Sequence, residues 1–177
     1  MKYLNLYLKN TLKYDIISQF NYKSINDIPN LKKIVLSFSY KVPTYRQILS
    51  SLMALELISN AKPKLVTLNK SNVVLKLRAG SPVGCKVTLT KLKMLDFIST
   101  LFFILIPKDK QLKISLNKKE KITNSLSLNI KSLHLFDELK DHYNLLKNLN
   151  NLSIILVTSS KSFFEFLFIL KILKVKF

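Results

Sequence analysis

Three side chains of the kinds that bind metal ions recur at a fixed spacing late in the chain. His134, Glu138 and His142 stand four residues apart. A continuous helix would align them on one face, where two imidazoles and a carboxylate could hold a metal ion. Asp137 and Asp141 lie beside them. Such spacing is also common on solvated surfaces, so we expect a polar surface loop here and no bound metal.

The single cysteine is the next candidate for chemistry. Cys85 has no second cysteine with which to form an internal disulfide. Lys86 beside it could lower the pKa of the thiol, but no histidine lies near it in sequence and the alternation around it points it inward. We expect a buried structural thiol. The sequence contains no paired acids, phosphate-binding glycine loop or Ser-His-Asp order, so we predict no catalytic site, no cofactor and no enzymatic activity.

The basic side chains form the largest chemical signal in the sequence. The 177 residues include 29 Lys and Arg against 10 Asp and Glu, a formal net charge of +19. Such self-repulsion destabilises a compact state unless a polyanion neutralises it. Nucleic acid and an anionic membrane surface are the polyanions to consider.

The kind of basic residue carries separate information. Of the 29 basic residues only Arg46 and Arg78 are arginines, so the chain is strongly biased toward lysine. It also has only two glycines. Arginine is usually better than lysine at bidentate phosphate sites, so binding chemistry does not explain this bias. Lys, Asn, Ile and Phe have AT-rich codons, and the bias therefore indicates an organelle or a reduced bacterium.

The hydrophobic pattern predicts helices and strands in mixed order within one domain, residues 1–177. We predict helices over residues 3–19, Tyr45–Asn60, Leu92–Ile106, stopped by Pro107, and from Ser162 to about Leu173, where Ser162-x-x-Glu165 fits a capping box. The core face of the second helix would consist of the apolar residues at helical spacing, Ile48, Leu49, Leu52, Met53, Leu55 and Ile58. We predict strands over Leu31–Phe38, Leu65–Leu68, Val73–Arg78, Cys85–Thr90, Ser125–Lys131 and Leu152–Thr158. Two apolar runs, Phe97–Pro107 and Phe163–Leu173, fall short of the roughly 18 uncharged residues of a membrane span, and we predict that both are buried core helices.

This order predicts an α+β fold in which helices pack on one face of an antiparallel sheet. The strands alternate apolar residues with Lys, Ser, Thr and Asn, so the other face would be polar. Such a face offers few aromatic platforms for unstacked bases and suits structured RNA, bound by shape and backbone. An ordinary solvated sheet face is the alternative, and the net charge of +19 favours RNA.

Four segments resemble one known family. They are Phe20–Tyr22, Pro29–Leu36, Ile58–Pro63 and above all Lys76–Thr90, which reads KLRAGSPVGCKVTLT. The last is similar to the pattern F-x-I/L-R-x-G-x-P-I-G-C-K-V-T-L-R of the universal large-subunit ribosomal protein family numbered five, which binds 5S rRNA in the central protuberance. The resemblance is strong over residues 20–107 and weak over residues 108–150.

The resemblance implies an RNA-binding structural protein of the ribosome. Positions matching RNA-facing residues of the family are Lys33, Ser37, Ala61, Lys62, Thr67, Lys86, Thr88 and Thr90. A loop over Lys70–Gly84 would reach the P-site tRNA, using Lys70, Lys76, Arg78, Gly80, Ser81, Pro82 and Gly84. Expected partners are 5S rRNA or the equivalent large-subunit rRNA, neighbouring ribosomal proteins and the small-subunit protein numbered thirteen.

The departures from the family lie mostly at glycines. Leu36–Lys41 lacks the family's asparagine and glycines, Ala61 replaces an RNA-contacting glutamine, and the family's glycine-rich stretches read Leu112–Leu116 and Lys119–Ser125 here. We expect the loop shapes to differ and the fold to be kept. The family's N-terminal helix would begin near residue 3, which leaves no room for a cleaved presequence. With the AT-type composition, this predicts synthesis inside a mitochondrion and a place in the matrix, on the mitochondrial ribosome.

Two other classes of protein remain as alternatives. An organellar RNA-processing enzyme would need clustered acids to hold metal ions, and the ten acids are scattered. A peripheral membrane protein, suggested by the mean hydropathy of +0.18, would need a basic amphipathic helix with an exposed apolar face. Cosedimentation of the protein with large ribosomal subunits would distinguish a ribosomal protein from these two classes.

Overall fold

The structure is a computed structural model that describes residues 11–108, 125–146 and 149–172. The start of the first predicted helix and the glycine-poor stretches at 112–116 and 119–124 lie outside these residues. The helices are α1 (Leu12–Gln19), α2 (Tyr45–Ser59), α3 (Lys91–Thr100), α4 (Ile106–Lys108), α5 (Tyr143–Leu146) and α6 (Phe163–Ile172). The strands are β1 (Leu31–Ser39), β2 (Lys64–Thr67), β3 (Pro82–Leu89), β4 (Ser125–Ile130) and β5 (Leu152–Thr158).

The strands of the described residues form a five-stranded antiparallel sheet in the order β2-β3-β1-β5-β4. Their sequences alternate because successive side chains point to opposite faces. In β4, Leu126, Leu128 and Ile130 are buried while the residues between them are exposed. The predicted α+β fold is confirmed.

The chain divides into two compact units. The first comprises the described residues within Met1–Ile34, Thr90–Leu128 and Ile155–Phe177. In it, α1 packs on α6 through a cluster of Leu12, Ile16, Ile28 and Ile169. The predicted capping box at the start of α6 is confirmed: the Glu165 N–H donates to Ser162 Oγ (3.3 Å), and the Ser162 N–H donates to the Glu165 carboxylate (3.3 Å).

The second unit comprises Val35–Leu89 and Asn129–Ile154. Helix α2 packs on β3, begins with a capping box between Thr44 and Gln47, and ends at Asn60 in the left-handed conformation (φ 48°). Its buried positions are Ile48, Ser51, Ala54, Leu55 and Ser59. The predicted core face was therefore partly wrong. Leu49 and Met53 are exposed, whereas Ser51, which is hydrogen-bonded to Cys85 of β3, is buried.

Two predicted elements differ in the structure. Val73–Arg78 is not a strand, because the Asn72 Oδ1 accepts the Leu75 N–H (3.2 Å) and Lys76 adopts a φ of 53°, which turns the chain. The helix predicted to stop at Pro107 ends at Thr100 and continues as a π-helical turn, Leu101–Leu105, and then α4. Pro107 therefore does not end the helical segment, although it removes one backbone N–H donor from it.

No helix among the described residues is long and apolar enough to cross a membrane. In the predicted core helix Phe163–Leu173, Phe166, Ile169 and Leu170 are buried. In the run Phe97–Pro107, Phe97, Ile98, Leu101 and Leu105 are buried. Both runs therefore supply core residues, as predicted.

Candidate nucleic-acid interface

Two lysines face each other across the β2–β3 pair in the second unit. The register places Lys64 opposite Lys86, Leu65 opposite Cys85 and Thr67 opposite Pro82. Directly opposed residues of an antiparallel pair lie on the same side of the sheet. Both lysines are exposed, and among the described residues neither has a carboxylate within ion-pair distance. Lys64 could not be predicted as a site residue from the sequence, because the residue that it faces depends on the register of the two strands.

The other predicted RNA-facing residues of this unit lie around the lysine pair. Thr88 is exposed and follows Lys86 at the alternate position of β3. Thr67, at the end of β2, and Lys62, before its start, are also exposed. Ser37 is half-buried in β1, and Ala61 is half-buried beside Lys62. The structure thus brings a lysine and a threonine of β3 next to Lys64, and their contact with RNA stays a prediction.

Two predicted residues belong to the first unit. Lys33 is exposed and precedes the buried Ile34 in β1, so it points away from the core. Thr90 is exposed and stands immediately before α3. In the same unit, Lys161 is paired with Asp27, which lowers the pKa of the Asp27 carboxyl and raises that of the lysine. Lys33, by contrast, has no described acidic partner.

The segment between β2 and β3 is closed at its base by backbone hydrogen bonds. The Gly80 N–H donates to the Leu68 carbonyl (2.8 Å), and the Leu68 N–H donates to the Ser81 carbonyl (3.0 Å). Gly80 has a φ of 83°, the left-handed region that favours glycine. This loop ends at Ser81, so the predicted boundary at Gly84 was wrong. Pro82 and Gly84 are strand residues, and Gly84 is buried.

The tip of the loop is basic and apolar. Lys70, Lys76 and Arg78 are exposed, and no acidic residue occurs between positions 68 and 81. Val73 and Val74 are 88% and 90% exposed. The loop therefore exposes basic side chains and apolar valine side chains next to each other.

The metal-ligand spacing found in the sequence does not form a site. His134 lies in one 3₁₀ turn, Leu133–Leu135, and Glu138 and His142 lie in another, Asp137–His142. Residues four apart align only on a continuous α-helix. The described part of the chain holds no group of three potential ligands close enough for one ion.

Cys85 is fully buried in β3, in the second unit. Burial raises the pKa of the thiol, and the hydrogen bond between Cys85 Sγ and Ser51 Oγ (3.0 Å) only partly offsets it. A thiol in this state is protonated and a poor nucleophile. It is a structural residue that packs β3 against α2.

Comparison with known proteins points to one family of ribosomal proteins. Residues 82–177 match the model for the C-terminus of the ribosomal L5 protein family. The chain is 30% identical over 179 residues to the large ribosomal subunit protein uL5 of Geotalea daltonii, covering 100% of this chain and 99% of the relative. It is 30% identical over 168 residues to uL5m of Reclinomonas americana (92% and 90%). Identity to uL5 of Buchnera aphidicola subsp. Cinara cedri is 33% over 164 residues (92% and 90%).

The relatives match over most or all of their length, and the family is a structural, non-enzymatic part of the ribosome. The absence of a catalytic site predicted from the sequence is in keeping with that. The chain belongs to the uL5 family of large ribosomal subunit proteins.

Proposed function

We propose that this chain binds ribosomal RNA, either 5S rRNA or the equivalent part of the large-subunit rRNA, through the outward side of its strands. The observation that carries this proposal is the lysine pair Lys64–Lys86. Like charges directly opposite each other on a sheet destabilise the strand pair. A phosphate backbone placed over the two lysines would neutralise their charges and so relieve this repulsion.

The chemistry of this surface favours phosphates and sugars over bases. Lysine is a point charge that contacts phosphate without reading sequence. Thr67 and Thr88 add hydroxyls that donate and accept hydrogen bonds. We therefore expect RNA to be recognised by its backbone and shape.

Removing the lysine pair should change how binding responds to salt. Log affinity falls linearly with log salt in proportion to the number of phosphates neutralised. Lys64→Ala with Lys86→Ala should therefore reduce the slope by roughly 1 to 2. Fluorescence anisotropy with a large-subunit rRNA fragment over a salt series measures this slope.

The matched control is Lys140→Ala, because Lys140 is already paired with Asp137 (2.6 Å). We expect the control to keep the wild-type slope. An unchanged slope in the double variant, or an equal change in the control, would show that phosphate contacts lie elsewhere.

We propose further that the loop between β2 and β3 contacts the tRNA in the P site. The exposure of Lys70, Lys76 and Arg78 and the lack of acids in the loop support this proposal. Lys76→Ala with Arg78→Ala should weaken P-site tRNA binding by roughly threefold to tenfold, since exposed ion pairs contribute at most about 1 kcal/mol each.

Filter binding of tRNA to subunits that carry the variant measures this effect. The loop's exposed neutral residue Ser71 provides the control, Ser71→Ala, which should leave tRNA binding unchanged. Incorporation into the large subunit should survive in both variants, because the strands supply the rRNA contacts. Loss of incorporation with normal tRNA binding would contradict the assignment.

We propose that the ribosome concerned is mitochondrial and that a further surface of the chain bridges to the small-subunit protein numbered thirteen. The AT-type composition and the likeness to uL5m of Reclinomonas americana support the location. Sedimentation of an organelle lysate, with detection of this chain in the large-subunit peak, tests it.

A further inference from the structure

A shallow depression in the second unit is lined entirely by neutral polar side chains. Its volume is about 390 Å³ and its lining residues are Ser39, Asn129, Asn150, Asn151 and Ser153. Ser39 ends β1, Asn129 is near the end of β4, Asn150 and Asn151 immediately precede β5, and Ser153 lies in β5. We call these five residues the amide cup.

The strands dictate which way these residues point. Asn129 lies between the buried Leu128 and Ile130 of β4, so alternation sends its side chain away from the core. Ser153 lies between two buried residues of β5 in the same way, and Ser39 is the exposed residue that ends β1. The cup therefore opens on the outward side of these strands.

One hydrogen bond shapes the cup. The Asn150 Nδ2 donates to the Ser39 carbonyl at 2.8 Å, which ties the start of β5 to the end of β1. Within the part of the chain that the structure describes, the side-chain amides of Asn129 and Asn151 have no hydrogen-bond partner. The amides of Asn129 and Asn151 are thus available to a ligand, and the hydrogen bond of Asn150 fixes the backbone beside them.

The composition of the cup defines its ligand. A phosphate accepts hydrogen bonds and is attracted by cations, yet the lining includes no Lys or Arg. Amides and hydroxyls offer donors and acceptors side by side. The ribose 2′-hydroxyl, which both donates and accepts, matches them, and the wide, shallow minor groove of A-form RNA displays a row of these groups.

Cations flank the cup along the chain. Lys41 stands two residues after Ser39, and Lys131 two residues after Asn129, and both are exposed. An RNA strand that placed its riboses in the cup would have its phosphates near these lysines. The neutral cup would thus face the riboses of the minor groove, and the lysines on either side of it would face the phosphates that border the groove.

We infer that the amide cup binds 2′-hydroxyls in the minor groove of double-stranded ribosomal RNA, with Asn129 and Asn151 making the contacts. The inference rests on the proposed RNA binding and adds a division of labour to it. The lysines set affinity and its salt dependence, whereas the cup distinguishes ribose from sugars that lack the hydroxyl.

The test compares two duplexes of one sequence, one of RNA and one whose riboses carry fluorine in place of the 2′-hydroxyl. The fluoro duplex keeps the A-form and removes the hydrogen-bond donor. We expect the full chain to bind the RNA duplex about tenfold more tightly, since each lost hydrogen bond is worth of the order of 1 kcal/mol. In Asn129→Ala with Asn151→Ala the preference should fall to about twofold or less, with an unchanged salt slope.

Two controls isolate the cup. Ser127→Ala removes an exposed polar residue of the same strand outside the cup, and should keep the preference. The double variant Lys64→Ala with Lys86→Ala should weaken binding to both duplexes but should keep the preference for the RNA duplex. Equal binding of the two duplexes by the wild type, or an unchanged preference in the asparagine variant, would overturn the inference and leave RNA binding standing. Failure to bind either duplex would overturn the proposed function as well.

Discussion

Replacing Gly84 with alanine should lower the free energy of unfolding by roughly 3 kcal/mol, at the upper end of the usual cost of overpacking a buried site. A Cβ at this position would overlap the Phe38 carbonyl oxygen, and would lie 3.3 Å from both the Phe38 carbonyl carbon and the Ser39 Cα. All three are backbone atoms, so a side chain cannot swing away to make room. Strands β1 and β3 would have to separate where the Tyr40 N–H donates to the Val83 carbonyl (3.0 Å).

The other glycine provides the control. A Cβ at Gly80 would meet nothing within 4 Å, but its φ of 83° strains any other residue. Gly80→Ala should therefore cost about 1 kcal/mol, from the backbone alone. Urea unfolding followed by circular dichroism measures both variants. If Gly84→Ala were no worse than Gly80→Ala, the close approach of β1 to β3 would not be the reason for glycine at position 84.

Replacing Phe166 with alanine should cost roughly 3 to 5 kcal/mol, the usual range for removing a buried phenylalanine. Phe166 is on α6 in the first unit and is 1% exposed. Its removal leaves a cavity that the surrounding side chains can fill only partly. A loss of this size consumes much of the stability of an ordinary domain, so we expect the variant to be poorly incorporated into ribosomes.

Phe164 lies on the same helix and is 74% exposed. Phe164→Ala removes the same atoms from water instead of from the core, so its effect should be within about 0.5 kcal/mol. Thermal unfolding of the two variants at one concentration gives the comparison. Equal destabilisation would mean that the exposed ring of Phe164 contributes to the stability of the free protein.

The strands were predictable where burial and sequence alternate together. Leu126, Leu128 and Ile130 indicate both the strand β4 and its buried side. β5 was predicted with its observed bounds, because Leu152–Thr158 is a short apolar run between polar residues. The capping box of α6 was visible because both of its residues lie within one turn.

The errors arose where local pattern and tertiary surroundings disagree. Val73 and Val74 favour a strand by side-chain type, but no neighbouring strand is available among the described residues and the Asn72 side chain turns the backbone instead. Leu49 and Met53 have core-like spacing, yet they are exposed while the small residues Ser51 and Ala54 of α2 are buried.

The candidate sites divide in the same way. Lys86 and Thr88 could be assigned to the outward side of β3 from alternation alone. The pairing of Lys64 with Lys86 needs the register of two strands, which no local pattern encodes. The amide cup joins Asn129 to Asn151, residues that are distant in sequence. Neighbourhoods of this kind arise only from the fold.

The two outer strands of the sheet also bear on the life of the chain before assembly. β2 and β4 are the edges, and an unpaired edge can recruit a strand from another molecule and start aggregation. β2 has only four residues, follows Pro63 and carries Lys64, while β4 ends beside the exposed Lys131. Short length, proline and charge all discourage such pairing. Lys64, which we propose to bind RNA in the ribosome, therefore also discourages pairing between the edge strands of newly made copies of the chain.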